Sequence, residues 1–335
     1  MMDSASHGLW YLAWRRLRAD RVAMLALCVV ALMLALVGLS AAGLVAADWE
    51  EEVAVNYAPP TFAAGAALRQ GAPASPRAVL PNRFDPLAAD IAAISAQLEK
   101  QGRAVPPVRR QTLAFGADKW GHDIVKKTIK GAQTSVVVGL AAALVAVTLG
   151  TLFGALAGYS GGAVDDLFTW FYSVFTSIPA ILMILTVAAV LQQKGVATIV
   201  LILGLTGWTG PYRLVRAEYM KHKAREYVLA AQAIGASHWR RMFSHILPNV
   251  SHVALVQLSI LIVGFIKAEV ILSFLGFGVP VGVVSWGSML NEAQHELILG
   301  KWWQLAAAAG SMAVLVTAFS TLTDALRDAL DPTLK

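Results

Sequence analysis

Long uncharged runs separated by short polar breaks set the outline of this chain. Residues 22–47 hold no charged side chain. A secretory signal core is about 7–15 residues, whereas a bilayer-spanning helix takes about 20. The run therefore predicts a retained first membrane helix, with cleavage near the small residues 42–47 as the alternative. Further apolar runs predict spans at about 132–157, 167–191, 196–215, 250–270 and 304–323. Pro179 falls inside the third and predicts a kink that neighbouring helices tolerate in a membrane. Ile124, Val125, Thr128 and Ile129 predict an amphipathic helix just before the second span. Residues 272–303 predict an irregular segment that dips partly into the membrane.

Two polar regions interrupt the spans. Residues 48–118 carry Pro59, Pro60, Pro73, Pro76, Pro81, Pro86, Pro106 and Pro107, which predicts mostly extended loop. The stripe Leu87, Ile91, Ile94 and Leu98 predicts one helical piece there. The second region is the basic island after the fourth span. Tyr227, Ala230, Ala231 and Ile234 lie on one stripe of a short helix. Gly235 ends that helix, Ser237 caps a second one, and Pro248 stops it.

Composition narrows the class. Of 335 residues, 57% are hydrophobic and 14% charged, and the mean hydropathy is +0.61. A soluble domain carries about 25% charge, so the pattern is that of a polytopic membrane protein. The net charge is +6, but the basic residues flank apolar runs, which fits membrane orientation rather than nucleic acid. Between residues 213 and 241 stand Arg213, Arg216, Lys221, Lys223, Arg225, Arg240 and Arg241 against Glu218 and Glu226. This excess predicts a cytoplasmic island, and four spans after an inside N-terminus place it there too. The cluster Lys119, Lys126, Lys127 and Lys130 falls outside in this topology, as a local exception. The single cysteine, Cys28, sits in an apolar run and reads as lipid-facing or packed filler.

Catalytic chemistry is hard to find. No Gly-x-x-x-x-Gly-Lys-Ser/Thr phosphate loop occurs. His295-Glu296 begins a zinc-protease pattern, but Leu299 stands at the second histidine position. His238, His245 and His252 do not share one face of a straight helix and read as solvated or headgroup-facing. Trp302-Trp303 reads as an interfacial aromatic belt. Lys267 and Glu269 are charges inside the fifth span, where each costs a few kcal/mol. They line a pathway or snorkel to the surface, and two residues apart they do not face each other.

The island Arg225-Glu226-Tyr227-Val228 through Ala230-Ala231, Gly235-Ala236-Ser237 and Ile246-Leu247-Pro248-Asn249 resembles the EAA loop of ATP-binding-cassette (ABC) importer permeases. Leu229 stands where the oldest form of that motif has Glu, and His245 where it often has Ile. The dipeptide/oligopeptide branch is similar in more places: Gly116-Ala117-Asp118 with Gly121-His122-Asp123, Ala157-Gly158-Tyr159 with Asp165, Arg213-Leu214-Val215-Arg216, Ala268-Glu269 with Leu272-Ser273-Phe274-Leu275-Gly276-Phe277-Gly278, Ser285-Trp286-Gly287-Ser288, and Asp324 to Pro332. These motifs keep the family's order over about 115–335, while 48–110 show no match.

The resemblance implies an all-α integral membrane protein like a type I ABC importer permease: about six transmembrane helices with a proline-rich extracytoplasmic loop after the first. The expected organisation is a cytoplasmic N-terminus (1–21), a first helix (22–47), the loop (48–118) and a five-helix core (119–335) with a coupling loop at about 216–249. It further implies a C-type permease subunit in the bacterial inner membrane that imports peptides or similar solutes and is not itself an enzyme. The expected partners are a second homologous permease, two ATPase subunits that hold ATP and Mg, a substrate-binding protein and membrane lipid. No cofactor or metal is expected in this chain. Glu226, Tyr227, Ala230, Ala231, Gly235, Ala236, Ser237, Leu247 and Pro248 would carry the coupling contact, and Glu269 and Ser273 would border the pathway. An ion-coupled transporter would show intramembrane acids in symmetric halves, and a membrane hydrolase a paired nucleophile and base.

Overall fold

The computed structural model describes residues 9–65, 90, 94, 97, 109–280 and 282–330. Leu87, Ile91 and Leu98 of the expected loop helix lie outside them; Asp90, Ile94 and Gln97 are helical. No strand forms among the described residues, and three isolated bridges are the only extended pairings there.

The helices follow the apolar runs. α1 is Leu9–Ala19 and α2 Arg21–Ala41, the second opened by Asp20, whose carboxylate accepts from the backbone N–H of Val22 and Ala23. α3 is Ile124–Ser160, followed by α4 (Gly162–Thr176), α5 (Ala180–Leu191), α6 (Val196–Thr206) and α7 (Thr209–Lys223). α8 is Glu226–Ala233, and a π-helical segment, Arg240–Ile246, runs into α9 (Leu247–Phe274). α10 is Trp286–Ile298 and α11 Trp303–Leu330. α2, α3, the π segment with α9, and α11 are each long and apolar enough to cross a membrane; α4 with α5 is a fifth such element, bent by 85°. Pro179 at the α5 N-cap accounts for the bend, because it has no N–H to continue the α4 ladder.

The structure differs from the expected elements in four places. The amphipathic helix and the second span are one helix, α3, about 55 Å long at 1.5 Å per residue. The fourth span is broken at Gly207-Trp208 into α6 and α7. The segment 272–303 contains α10, opened by a capping box in which Ser285 and Ser288 satisfy each other's backbone N–H. Pro248 stops nothing: it sits in the first turn of α9, where its missing N–H has no intrahelical role. The preceding π turn, in which the Leu247 N–H reaches Met242 O, keeps the axis continuous.

The core is organised on α3. Small residues on one stripe let α7 approach closely: a Cβ built on Gly154 would stand 2.8 Å from Tyr212 O and 3.0 Å from Arg216 N, and one on Gly158 2.5 Å from Arg216 O. Beside this seam Phe153, Phe168, Phe171 and Phe175 pack around Trp208, with Phe171 stacked on its ring at 5.2 Å. Arg216 locks the corner between α3 and α4 with a two-pronged bond to Asp165, at 2.5 and 2.6 Å.

Candidate functional site

At one end of the bundle the chain leaves α7, turns at Arg225 in an extended conformation, and forms the eight-residue α8. α8 ends in a Schellman turn: the Gly235 N–H donates to Gln232 O and the Ala236 N–H to Ala231 O. Gly235 takes φ +84°, the left-handed conformation that such a turn needs and that glycine adopts freely. Ser237 then caps the next helical segment through Arg240 N at 3.3 Å, as its position predicts. The result is a knuckle of two helices around a glycine.

One side of the knuckle is anchored. Val228 and Ala231 are buried, and Val228 packs with Met242, Ile246, Val250, Val215, Tyr219 and the α3 residues Ala155 and Tyr159. The buried Tyr219 hydroxyl donates to Met242 O at 3.2 Å. Three large apolar side chains of the knuckle are left exposed among Arg225, Glu226 and Arg240: Leu229 is 53% exposed, Ile234 86% and Trp239, whose ring stacks on Phe243, 63%. Of the expected contact residues, Glu226, Tyr227, Ala230, Gly235 and Ser237 lie on the exposed side, and Ala236 is half-buried. Ala231 is part of the anchor, and Leu247 and Pro248 lie in the α9 entry. The Tyr227 hydroxyl meets His222 Nδ1 at 2.8 Å, fixing the start of α8 to the end of α7.

Sequence reading missed the side chains that brace the knuckle. Arg241 on the π segment is buried, at 8% exposure. Its guanidinium donates to Gln232 Oε1 at 2.5 Å and lies 3.2 Å from His238 Nδ1 and 5.8 Å from the centre of the Tyr159 ring. His238 is exposed, as a solvated histidine is expected to be, but its Nδ1 also meets the Tyr159 hydroxyl at 3.2 Å. No periodicity signals this cluster, because its members come from three separate elements.

The opposite end carries the expected pathway residues. Glu269 is fully buried, with Ser135 of α3 donating to Oε2 and Ser273 to Oε1, each at 2.6 Å. Ser135 also accepts from Trp286 N at 3.2 Å, so three helices meet at this carboxylate. Lys267 points away and is exposed. The Gly116-Ala117-Asp118 and Gly121-His122-Asp123 pair forms a clasp there. Asp118 is fully buried and accepts from the backbone N–H of Trp120 and His122 and from Lys127 Nζ at 2.7 Å. Burial raises the Asp118 carboxyl, but Lys127 and the bonds around it win and hold it below the usual carboxylate range. Asp123 caps α3 through Val125 N. Trp303 belongs to the clasp rather than to an aromatic belt: it is buried and its indole N–H donates to Ala117 O at 2.7 Å. Lys127 bridges to Glu292 and Lys126 to Asp48, so two of the four lysines in the exceptional cluster are neutralised.

Residues 150–335 match the family described as the binding-protein-dependent transport system inner membrane component. Residues 8–60 match the N-terminal TM domain of oligopeptide transport permease C, which extends the likeness into a region where sequence reading found none. The chain is 37% identical over 221 residues to the dipeptide transport system permease protein of Bacillus subtilis (strain 168), covering 66% of this chain and 69% of that one. It is 36% identical over 221 residues to the oligopeptide transport system permease protein of the same organism, covering 66% and 72%. A Haemophilus influenzae oligopeptide permease is 34% identical over 218 residues, covering 65% and 70%. With more than half of its length matched and its membrane helices in place, the chain belongs to the family of binding-protein-dependent transport system inner membrane components, as a multi-pass protein of the inner membrane.

Proposed function

We propose that this chain is one permease subunit of an ATP-driven importer for peptides or similar small solutes. It forms half of the translocation pathway, beside a second homologous permease, and takes substrate from a binding protein outside the membrane. Two ATPase subunits hold ATP and Mg and drive it through the cytoplasmic knuckle. The relatives' names support the peptide class. The observation that carries the coupling role is the exposure of three large apolar side chains on the knuckle, Leu229, Ile234 and Trp239, among charged residues. A large exposed apolar patch rimmed by polar groups marks a protein contact. Glu269 and Ser273 border the pathway by bracing α3, α9 and α10 where the backbone bends through Gly276 and Gly282, both at positive φ.

The test is Ile234→Asp. A bulky residue at Gly235 is less clean, because its φ of +84° would strain any side chain there although the space is open. Ile234 is almost fully solvated in the single chain, so aspartate costs the fold little but places a charge in the contact. The variant is expected to insert normally, to lose its ATPases on purification, and to lose ATP-dependent uptake at least about tenfold, the effect of about 1.4 kcal/mol in binding. Retained ATPases with wild-type uptake would return the knuckle to a solvated linker.

A further inference from the structure

We infer that Arg241 is a positioning residue that makes the knuckle rigid, so that a push on α8 moves α3 instead of being absorbed locally. The inference rests on the coupling role proposed above and goes beyond it by naming how the motion enters the membrane bundle.

α8 is eight residues long, with loose joints at both ends: Arg225 is extended on one side, and Gly235 is left-handed on the other. Of its side chains only Val228 and Ala231 are buried. The Tyr227–His222 bond fixes its first turn to α7, so the turn next to Gly235 is the end that can rock. What opposes rocking there is the side-chain bond across the Gly235 corner, from the Arg241 guanidinium to Gln232 Oε1. Arg241 is in turn seated against α3: the Tyr159 ring lies beneath its guanidinium, and the Tyr159 hydroxyl holds His238, which Arg241 also contacts. Tyr159 is the penultimate residue of α3 and is itself buried.

The chain of contact is therefore short and continuous, from Gln232 on α8 to Arg241 on the π segment to Tyr159 on α3. Beyond Tyr159, α3 runs the full depth of the membrane to Ser135 and Glu269 at the far end. Arginine suits the middle place, because its planar fork can hold an amide oxygen with one nitrogen while stacking on an aromatic face. The Arg241 side chain has no carboxylate within ion-pair distance among the described residues, and its Nε has no hydrogen-bond partner there. Gln232, His238 and the Tyr159 ring are what hold this buried cation. Arg241 thus reaches two elements at once.

The test uses the assembled importer: this chain, its partner permease and its ATPases in proteoliposomes with the binding protein, measuring uptake of a labelled dipeptide and ATP hydrolysis in parallel. Arg241→Met and Gln232→Leu are expected to keep the ATPases bound and hydrolysis within about twofold of wild type, while uptake falls at least about tenfold. The ATP consumed per peptide thus rises, which a merely structural defect would not produce. The double variant is expected to be no worse than the poorer single one, because the two side chains share one bond. Tyr159→Phe keeps the ring and is expected to retain most uptake, whereas Tyr159→Leu is expected to behave like Arg241→Met. Uptake and hydrolysis falling in proportion, loss of the ATPases, or wild-type uptake in both single variants would each overturn the inference. Ile234→Asp separates the two ideas, since its failure removes the docking contact without touching the Arg241 bond.

Discussion

Glu296 on α10 is 1% exposed, and neither carboxylate oxygen meets a hydrogen-bond partner among the described residues. Burial pushes its carboxyl up to about 7; Lys127 nearby opposes this, while Asp118 and Glu292 add to it. A carboxyl with a raised folded pKa binds more protons folded than unfolded over the window between its two pKa values. Stability from this group is therefore fully present below about 4.5 and is lost as pH rises through about 7. Asp118 has the opposite sign: its stabilisation is present above the usual carboxylate range and is lost in acid. Glu296→Gln copies the protonated shape and removes the charge. The variant is expected to melt near the wild-type temperature at pH 4 and above it at pH 8.5, read from thermal unfolding in detergent. A wild-type midpoint that does not fall between those pH values would show that Glu296 is ionised throughout. A second residue, Glu269, is tested through transport: Glu269→Gln is expected to leave assembly intact and lower uptake, because the amide nitrogen that replaces one carboxylate oxygen donates and cannot accept from the serine there. Wild-type uptake would leave Glu269 as a packing group only.

At the scale of elements, the seam between α3 and α7 holds the membrane core to the knuckle. A methyl group at Gly154 would press on Tyr212 O, Arg216 N and Val215 Cβ, and backbone atoms cannot swing aside. Gly154→Ala is expected to cost about 1–3 kcal/mol. Gly38 on α2 has nothing within 4 Å of an added Cβ. Gly38→Ala is expected to be neutral or to gain about 0.5–1 kcal/mol from helix propensity. Equal midpoints for the two variants in a melting series would contradict the seam. What could be read beforehand has a physical limit. Apolar length announces α2, α3, α9 and α11, and Gly235 with Ser237 announces the knuckle, because each signal lies within one stretch of chain. Pro179 announces its bend for the same reason. Pro248 misleads because the stop rule assumes i to i−4 bonding, and the wider turn before it escapes that rule. The Tyr159–His238–Arg241 brace and the Asp118–Lys127–Glu292 clasp join residues far apart in sequence, so neither run length nor period carries them. Trp303 likewise reads as a membrane-surface residue until the loop that buries it is in place.

At the scale of the whole molecule, the two ends of α3 are chemically different. One end meets the basic knuckle; the other meets the acidic and proline-rich segment around Asp48, Glu52 and Asp118. Short loops rich in Lys and Arg stay in the cytoplasm, and the knuckle has the largest such excess in the chain. The lysines at the other end look like a counter-argument until their partners are counted: Lys127 is bound to Asp118 and Glu292, and Lys126 to Asp48 at 2.5 Å. Arg109 is paired with Glu52 in the same region. The lysines also adjoin a long loop, which translocates largely regardless of its charge, so the knuckle is expected to set the orientation. The arrangement is expected to place position 237 inside and position 51 outside. Single cysteines at Ser237 and Glu51, each exposed, can be introduced after Cys28→Ser removes the native thiol. In intact cells stripped of their outer membrane, an impermeant maleimide is expected to label Glu51→Cys and to spare Ser237→Cys until the inner membrane is permeabilised. Labelling of Ser237→Cys before permeabilisation would put the knuckle on the wrong side for any ATPase, and the coupling role would fall with it.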